Sequence, residues 1–231
     1  MEKHISSWLN ESRELLELLE SKLPSRIDHA SVSLTAKIPF KVLWFRGSLI
    51  WRFTELCRSA FEDFKNDKLV SAILLTRAAL ETGAALWYLS TKIKTASESG
   101  ALGDIDDYIA RLILGSKTDP AVPQAINVLS FVDKVDKDIP GFRKQYDVLS
   151  EYAHPNWEGT TQLYSKPDPI NKRVDFGSNM RGAEYAKQCC IINLNGALLI
   201  FENTYDEIAV FMSSFIKLCE SQLRSRNNTA S

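Results

Sequence analysis

Residues 72–89 read Ala-Ile-Leu-Leu-Thr-Arg-Ala-Ala-Leu-Glu-Thr-Gly-Ala-Ala-Leu-Trp-Tyr-Leu, and only Arg77 and Glu81 in this run are charged. The run is too long for a strand and almost free of breakers, which predicts a helix over about 68–95. A helix apolar on most of its circumference has to be covered by other elements. Ala79 and Gly83, four apart, let a neighbouring helix approach closely. The two charges are also four apart and share a face. Charges set in such a run must pair or line a polar cavity, because unpaired burial is costly.

The covering elements are helical too. Ile5, Trp8, Leu9, Leu15, Leu16 and Leu19 give helical spacing over 3–22, which Pro24 ends. A Ser-rich connector covers 24–36. A second helix over about 40–66 carries Leu43, Trp44, Phe45, Leu49, Trp51, Phe53, Leu56 and Phe61, an aromatic set that reads as core or dimer packing rather than a ligand cage. Asp67 reads as the N-cap of the helix that follows. After a loop at 96–103, Asp104 opens a helix with Ile105, Tyr108, Ile109, Leu112 and Ile113 on one face, closed by Gly115. Asp119-Pro120 signals a further helix to about Lys137. Pro140-Gly141 breaks it before another at 142–153. Residues 157–180 differ: Thr160–Tyr164 and Arg173–Phe176 are strand-like, with turn chemistry at 166–169. A last helix runs from about Arg181 to Ser225 and is apolar nearly all round at 189–201. The expected architecture is an all-α bundle of about six or seven helices with a small hairpin or irregular insert near 157–180. It forms one domain over 1–231, with an N-terminal helix and connector at 1–36 and a core bundle at 37–225.

Composition excludes several classes. Hydrophobic residues are 45% and the formal net charge is −1, which argues against disorder and against broad electrostatic capture of nucleic acid. Cys57, Cys189, Cys190 and Cys219 form no CxxC pair, and adjacent Cys189 and Cys190 suit neither a disulfide nor a zinc site. They read as reduced packing residues without a disulfide partner, which implies a reducing, cytoplasmic compartment. The charged N-terminus has no signal-peptide pattern. The most apolar run, 191–201, holds Asn193 and Asn195 and is shorter than the roughly 20 residues a membrane span needs, so no membrane association is expected.

No phosphate-binding glycine loop, zinc-protease helix or nucleophile elbow occurs. His4, His29 and His154 form no ligand cluster, so neither a metal nor a cofactor is expected. The second informative segment is Tyr146-Asp-Val-Leu-Ser150-Glu-Tyr152-Ala-His154-Pro155-Asn156. Pro155 ends the helix and leaves His154 at its C-terminus, where the helix dipole favours a protonated imidazole. Tyr146, Ser150 and His154 fall along one side, so Ser150 is placed to hold an imidazole nitrogen. Asn195, Glu202 and Asp206 lie near one face of the last helix and read as its solvated edge.

The Arg77-x3-Glu81 helix followed by Leu149-Ser150-Glu151-Tyr152-Ala153-His154-Pro155 resembles a family of bacterial proteins of unassigned function and, more loosely, the HEPN superfamily of helical bundles. The resemblance covers roughly 40–220. It implies a homodimer and, in many members, a metal-independent endoribonuclease of stress or defence systems; other members are non-catalytic nucleotide-binding or scaffold modules. On the ribonuclease reading His154 is the general acid or base, Arg77 stabilises the phosphorane and Glu81 orients Arg77. Tyr146 or Tyr152 stacks on a base of the RNA or nucleotide, and Asn156 donates to phosphate. The chain departs from the superfamily's motif, which sets an Arg five to seven positions before the His. Here Arg143 is the nearest, 11 positions back and roughly 16 Å along the helix. The alternative reading is a non-catalytic helical interaction module acting as a homodimer or complex subunit.

Overall fold

The computed structural model describes residues 2–229, with side chains from 5 to 225. In chain order these form α1 (Glu2–Ser21), α2 (His29–Val32), α3 (Lys37–Lys65), α4 (Leu69–Ser99), α5 (Ile105–Leu114), α6 (Val128–Asp138), α7 (Phe142–Ala153), a π-helical turn (Trp157–Gln162), strands β1 (Ser165–Asp168) and β2 (Arg173–Phe176), and α8 (Ala183–Thr229). The chain is an all-α bundle with a small hairpin, the architecture expected from the sequence.

Helix α4 is the centre. It packs most extensively on α8 and then on α3, while α6 and α7 cover another side and α5 touches its far end. Ala79 is fully buried and Gly83 lies against Phe53 of α3, where an added Cβ would sit 4.0 Å from the Phe53 ring. Phe53 in turn stacks on Phe201 of α8, ring centres 3.9 Å apart and nearly parallel. By length and composition α4 could cross a membrane, yet 61% of its most apolar stretch is buried inside the bundle.

Helix α1 docks on α8 and α3. Leu16 and Leu19 are its buried anchors. Around them sits a polar clamp: Lys22 Nζ reaches Glu202 at 3.0 Å and Asp206 at 2.8 Å, and Arg58 makes a two-pronged bond to Glu20. Asn195 Nδ2 donates to Glu11 at 2.7 Å and is almost fully buried. Asn195 and Glu202 are therefore interhelical contacts, not the solvated edge expected of them, because α1 folds over that side of α8, whereas Asp206 pairs with Lys22 from an exposed position on that edge.

Several boundaries differ from expectation. Asp67 has φ 56° and caps nothing; α4 begins after Lys68. It then continues through 96–99 to Gly100, whose left-handed backbone (φ 68°) suits the helix end. Asp119 caps only a turn, donor Ala121 N at 2.9 Å. Pro123 lies inside the span that the sequence marks as helix, and the helix is capped instead by Asn127, whose Oδ1 accepts from Leu129 N. In the insert, Thr160–Thr161 belong to the π-helical turn. The hairpin pairs Ser165–Asp168 with Arg173–Phe176, so the segment read as turn chemistry is a strand.

Candidate functional site

Two elements bring the charged pair to its partner. Arg77 and Glu81 project from one face of α4, and Tyr146 comes from α7, which packs alongside. Arg77 Nη2 donates to the Tyr146 hydroxyl at 2.8 Å, and that hydroxyl donates to Glu81 Oε1 at 2.9 Å. The proton direction is fixed by chemistry, since a guanidinium has no acceptor and an ionised carboxylate no donor. Arg77 Nη2 also lies 3.4 Å from Glu81 Oε1, and the guanidinium carbon is 5.1 Å from the centre of the Tyr146 ring. Tyr146 is 3% exposed, whereas the Arg77 and Glu81 side chains are 29% and 26% exposed. One edge of the network therefore meets solvent. Arg77 Nε is buried without a hydrogen-bond partner among the described residues.

The other residues singled out in the sequence are not drawn into this network. Ser150 Oγ donates to the Tyr146 carbonyl at 2.9 Å, the familiar back-bond of a helical serine, and not to an imidazole. His154 is the C-cap of α7, with extended backbone, and its exposed ring makes no hydrogen bond among the described residues. At a rise of about 1.5 Å per residue it lies about 12 Å along α7 from Tyr146. Tyr152 is 2% exposed and its hydroxyl has no partner among the described residues; burial and then the nearby Glu158 carboxylate push its pKa up. The rings of Tyr146 and Tyr152, expected to stack on a base, are both packed into the core. Asn156 Nδ2 is bound to Glu151 at 2.8 Å and its Oδ1 caps the π-helical turn through Gly159 N at 3.0 Å. Its amide is occupied by local structure rather than directed at phosphate.

The π-helical turn itself depends on one residue. A Cβ on Gly159 would run into the carbonyl oxygens of His154 and Tyr152. Next to it, the Arg181 guanidinium carbon lies 4.8 Å from the centre of the Trp157 ring, while Arg181 Nε donates to the Ser165 carbonyl at 2.8 Å. Arg181 thus ties the hairpin to the turn.

A second feature was not legible as a site. Phe40, Trp44, Gly47, Ser48 and Trp51 form one stripe of α3, and with Pro24–Ile27 they enclose an open groove of about 510 Å³. Trp44 and Trp51 are 48% and 53% exposed, while Phe53 on the opposite side is fully buried. The seven-residue spacing of the two indoles was the available signal. What the sequence hid was that the connector would form the facing wall. Among the described residues no group of three or more His, Cys, Asp or Glu is placed to hold a metal ion. Comparison with known protein families finds no matching model, and neither the curated proteins nor the solved structures contain a match.

Proposed function

We propose that this protein is a non-catalytic helical interaction module that works as a homodimer through the outer stripe of α8. The observation that carries the reading is the seven-residue recurrence of Tyr185, Ile192 and Leu199, which are 57%, 45% and 39% exposed on the helix that buries Ile191, Leu194, Leu198 and Phe201 in the core. Gly196 lies on the same stripe, and a Cβ there would meet nothing within 4 Å. An apolar seam of period seven with a small residue in it is suited to close packing against another helix. Asn203 and Asp206, both exposed, bound the seam toward the C-terminus. The polar network supports the non-catalytic side of the reading: the terminal nitrogen and carboxylate of Arg77 and Glu81 already serve a buried tyrosine, and His154 stands two turns away from it.

Sedimentation velocity tests the dimer. The wild type should sediment as a dimer at micromolar concentration and Ile192→Asp/Leu199→Asp as a folded monomer. Ile170→Asp, at a hairpin tip that is 91% exposed, should leave the dimer intact. A monomeric wild type would overturn the proposal. Incubation of single-stranded RNA with wild type and His154→Ala in chelator tests the other reading. Cleavage by the wild type alone would replace the non-catalytic module with the ribonuclease; the expected result is no cleavage by either.

A further inference from the structure

We infer that the groove between α3 and residues 24–27 is a binding site for a small aromatic carboxylate. The site is independent of the α8 seam.

Its walls are set by two local facts. Phe40, Trp44, Gly47, Ser48 and Trp51 stand at i, i+4, i+7, i+8 and i+11, so they share one face of α3. The connector is pinned opposite them because the Trp51 indole N–H donates to the Pro24 carbonyl at 2.9 Å. Gly47 forms the floor. A Cβ on it would lie 3.3 Å from Pro24 Cγ and 3.5 Å from Ile27 Cδ1, so the two walls meet at that point without a side chain between them. Above the floor the groove opens to about 510 Å³, within the range of sites for small organic ligands.

The polarity of the lining selects the occupant. Two half-exposed indoles and Phe40 supply flat apolar surface for a ring. The only charged side chain lining the groove is Arg26, which is exposed and makes no ion pair among the described residues. Ser25, Ser48 and the two indole N–H groups are the remaining side-chain polar groups; Ser48 is turned to the Trp44 carbonyl and the Trp51 N–H to the Pro24 carbonyl. No carboxylate lines the groove. The nearest in sequence, Asp28, is held as the N-cap of α2 by Ala30 N at 3.0 Å. A cationic ligand would meet an arginine with no compensating acid, whereas a ring bearing a carboxylate satisfies both the indoles and Arg26.

Isothermal titration calorimetry with an isosteric series reads this out: 1-naphthylacetate, 1-naphthylacetamide and 1-naphthylmethylammonium, each titrated into the full chain. The acetate should bind about three-fold tighter than the amide, the scale of a solvent-exposed ion pair, and the ammonium weakest. Arg26→Gln should bring acetate and amide to equal affinity without weakening the amide. Trp44→Ala should weaken both by about ten-fold, with an unchanged circular dichroism spectrum showing that the variant folds; Ser48→Leu, which fills the groove from an exposed position, is the second blocking variant. Equal or tighter binding of the ammonium overturns the charge assignment. Absence of binding by any of the three overturns the site, as does a shift from dimer to monomer on Trp44→Ala, which would assign the groove to a second copy of the chain.

Discussion

Replacing Tyr146 with Phe removes one atom from the polar network between α4 and α7. The hydroxyl accepts from Arg77 at 2.8 Å and donates to Glu81 at 2.9 Å, so its loss deletes two hydrogen bonds to charged groups. Such bonds contribute about 1.5–3 kcal/mol each when buried. Here the contribution is smaller, because the Arg77 and Glu81 side chains are about a quarter exposed and water replaces part of what is lost. Their direct contact at 3.4 Å also survives. The ring stays, so no cavity opens. The expected cost is about 2 kcal/mol, which for a chain of this length lowers Tm by about 6 °C. Urea denaturation of wild type, Tyr146→Phe, Arg77→Met and the double variant measures it. Because both single changes break the same bond, the double variant should cost less than their sum by about 1 kcal/mol. A Tyr146→Phe variant within about 0.5 kcal/mol of wild type, or strict additivity with Arg77→Met, would refute the claim that the hydroxyl bridges the pair.

Gly159→Ala should cost about 3 kcal/mol or more in the same assay, since the new methyl meets the carbonyls of His154 and Tyr152 and the π-helical turn cannot close around it. Cys57, Cys190 and Cys219 are buried, and burial raises all three thiols, the latter two to about 12. An aromatic disulfide reagent at pH 8 should therefore label at most the half-buried Cys189 rapidly, and all four thiols only after unfolding. A raised thiol pKa means that the unfolded chain releases protons first, so stability should be flat below about pH 8.5 and fall as pH rises from about 9 toward 12; a Cys57→Ala/Cys190→Ala/Cys219→Ala variant should show a shallower fall, and an equal fall in both would locate the effect elsewhere.

Much of the fold was written in local pattern. The spans of α4, α5 and α7 and the stops at Gly115 and Pro140-Gly141 came from periodicity and breakers, which act within a few residues. So did the pairing requirement on Arg77 and Glu81. Their actual partner did not. Tyr146 was visible only as one of three polar residues along α7. The choice of Tyr146 over His154 depends on where α7 crosses α4, which no spacing within α7 encodes. The hairpin in the insert was legible, but its first strand was misplaced at Thr160–Tyr164 for a related reason. Two threonines favour a strand in isolation, but Asn156 caps a helical turn and Gly159 admits close carbonyls, and together these override β propensity. Asn195 and Glu202 looked solvated because nothing in α8 announces that α1 and the residue after it, nearly two hundred positions earlier, supply Glu11 and Lys22 to meet them.

The partnership of α4 and α8 carries a kinetic consequence. Thr76 lies 3.6 Å from Cys190 and Ser90 bonds Glu207, so the main covering surface of α4 is contributed by residues more than a hundred positions later. During synthesis from the N-terminus, a chain that has reached the hairpin has made the whole of its most apolar helix and none of the helix that shields it. At roughly 5–20 residues per second that interval lasts on the order of ten seconds. Over that time the nascent chain depends on α3 and the short helices to shelter residues 69–99, and closure of the bundle waits for a contact of long sequence separation, the slow kind.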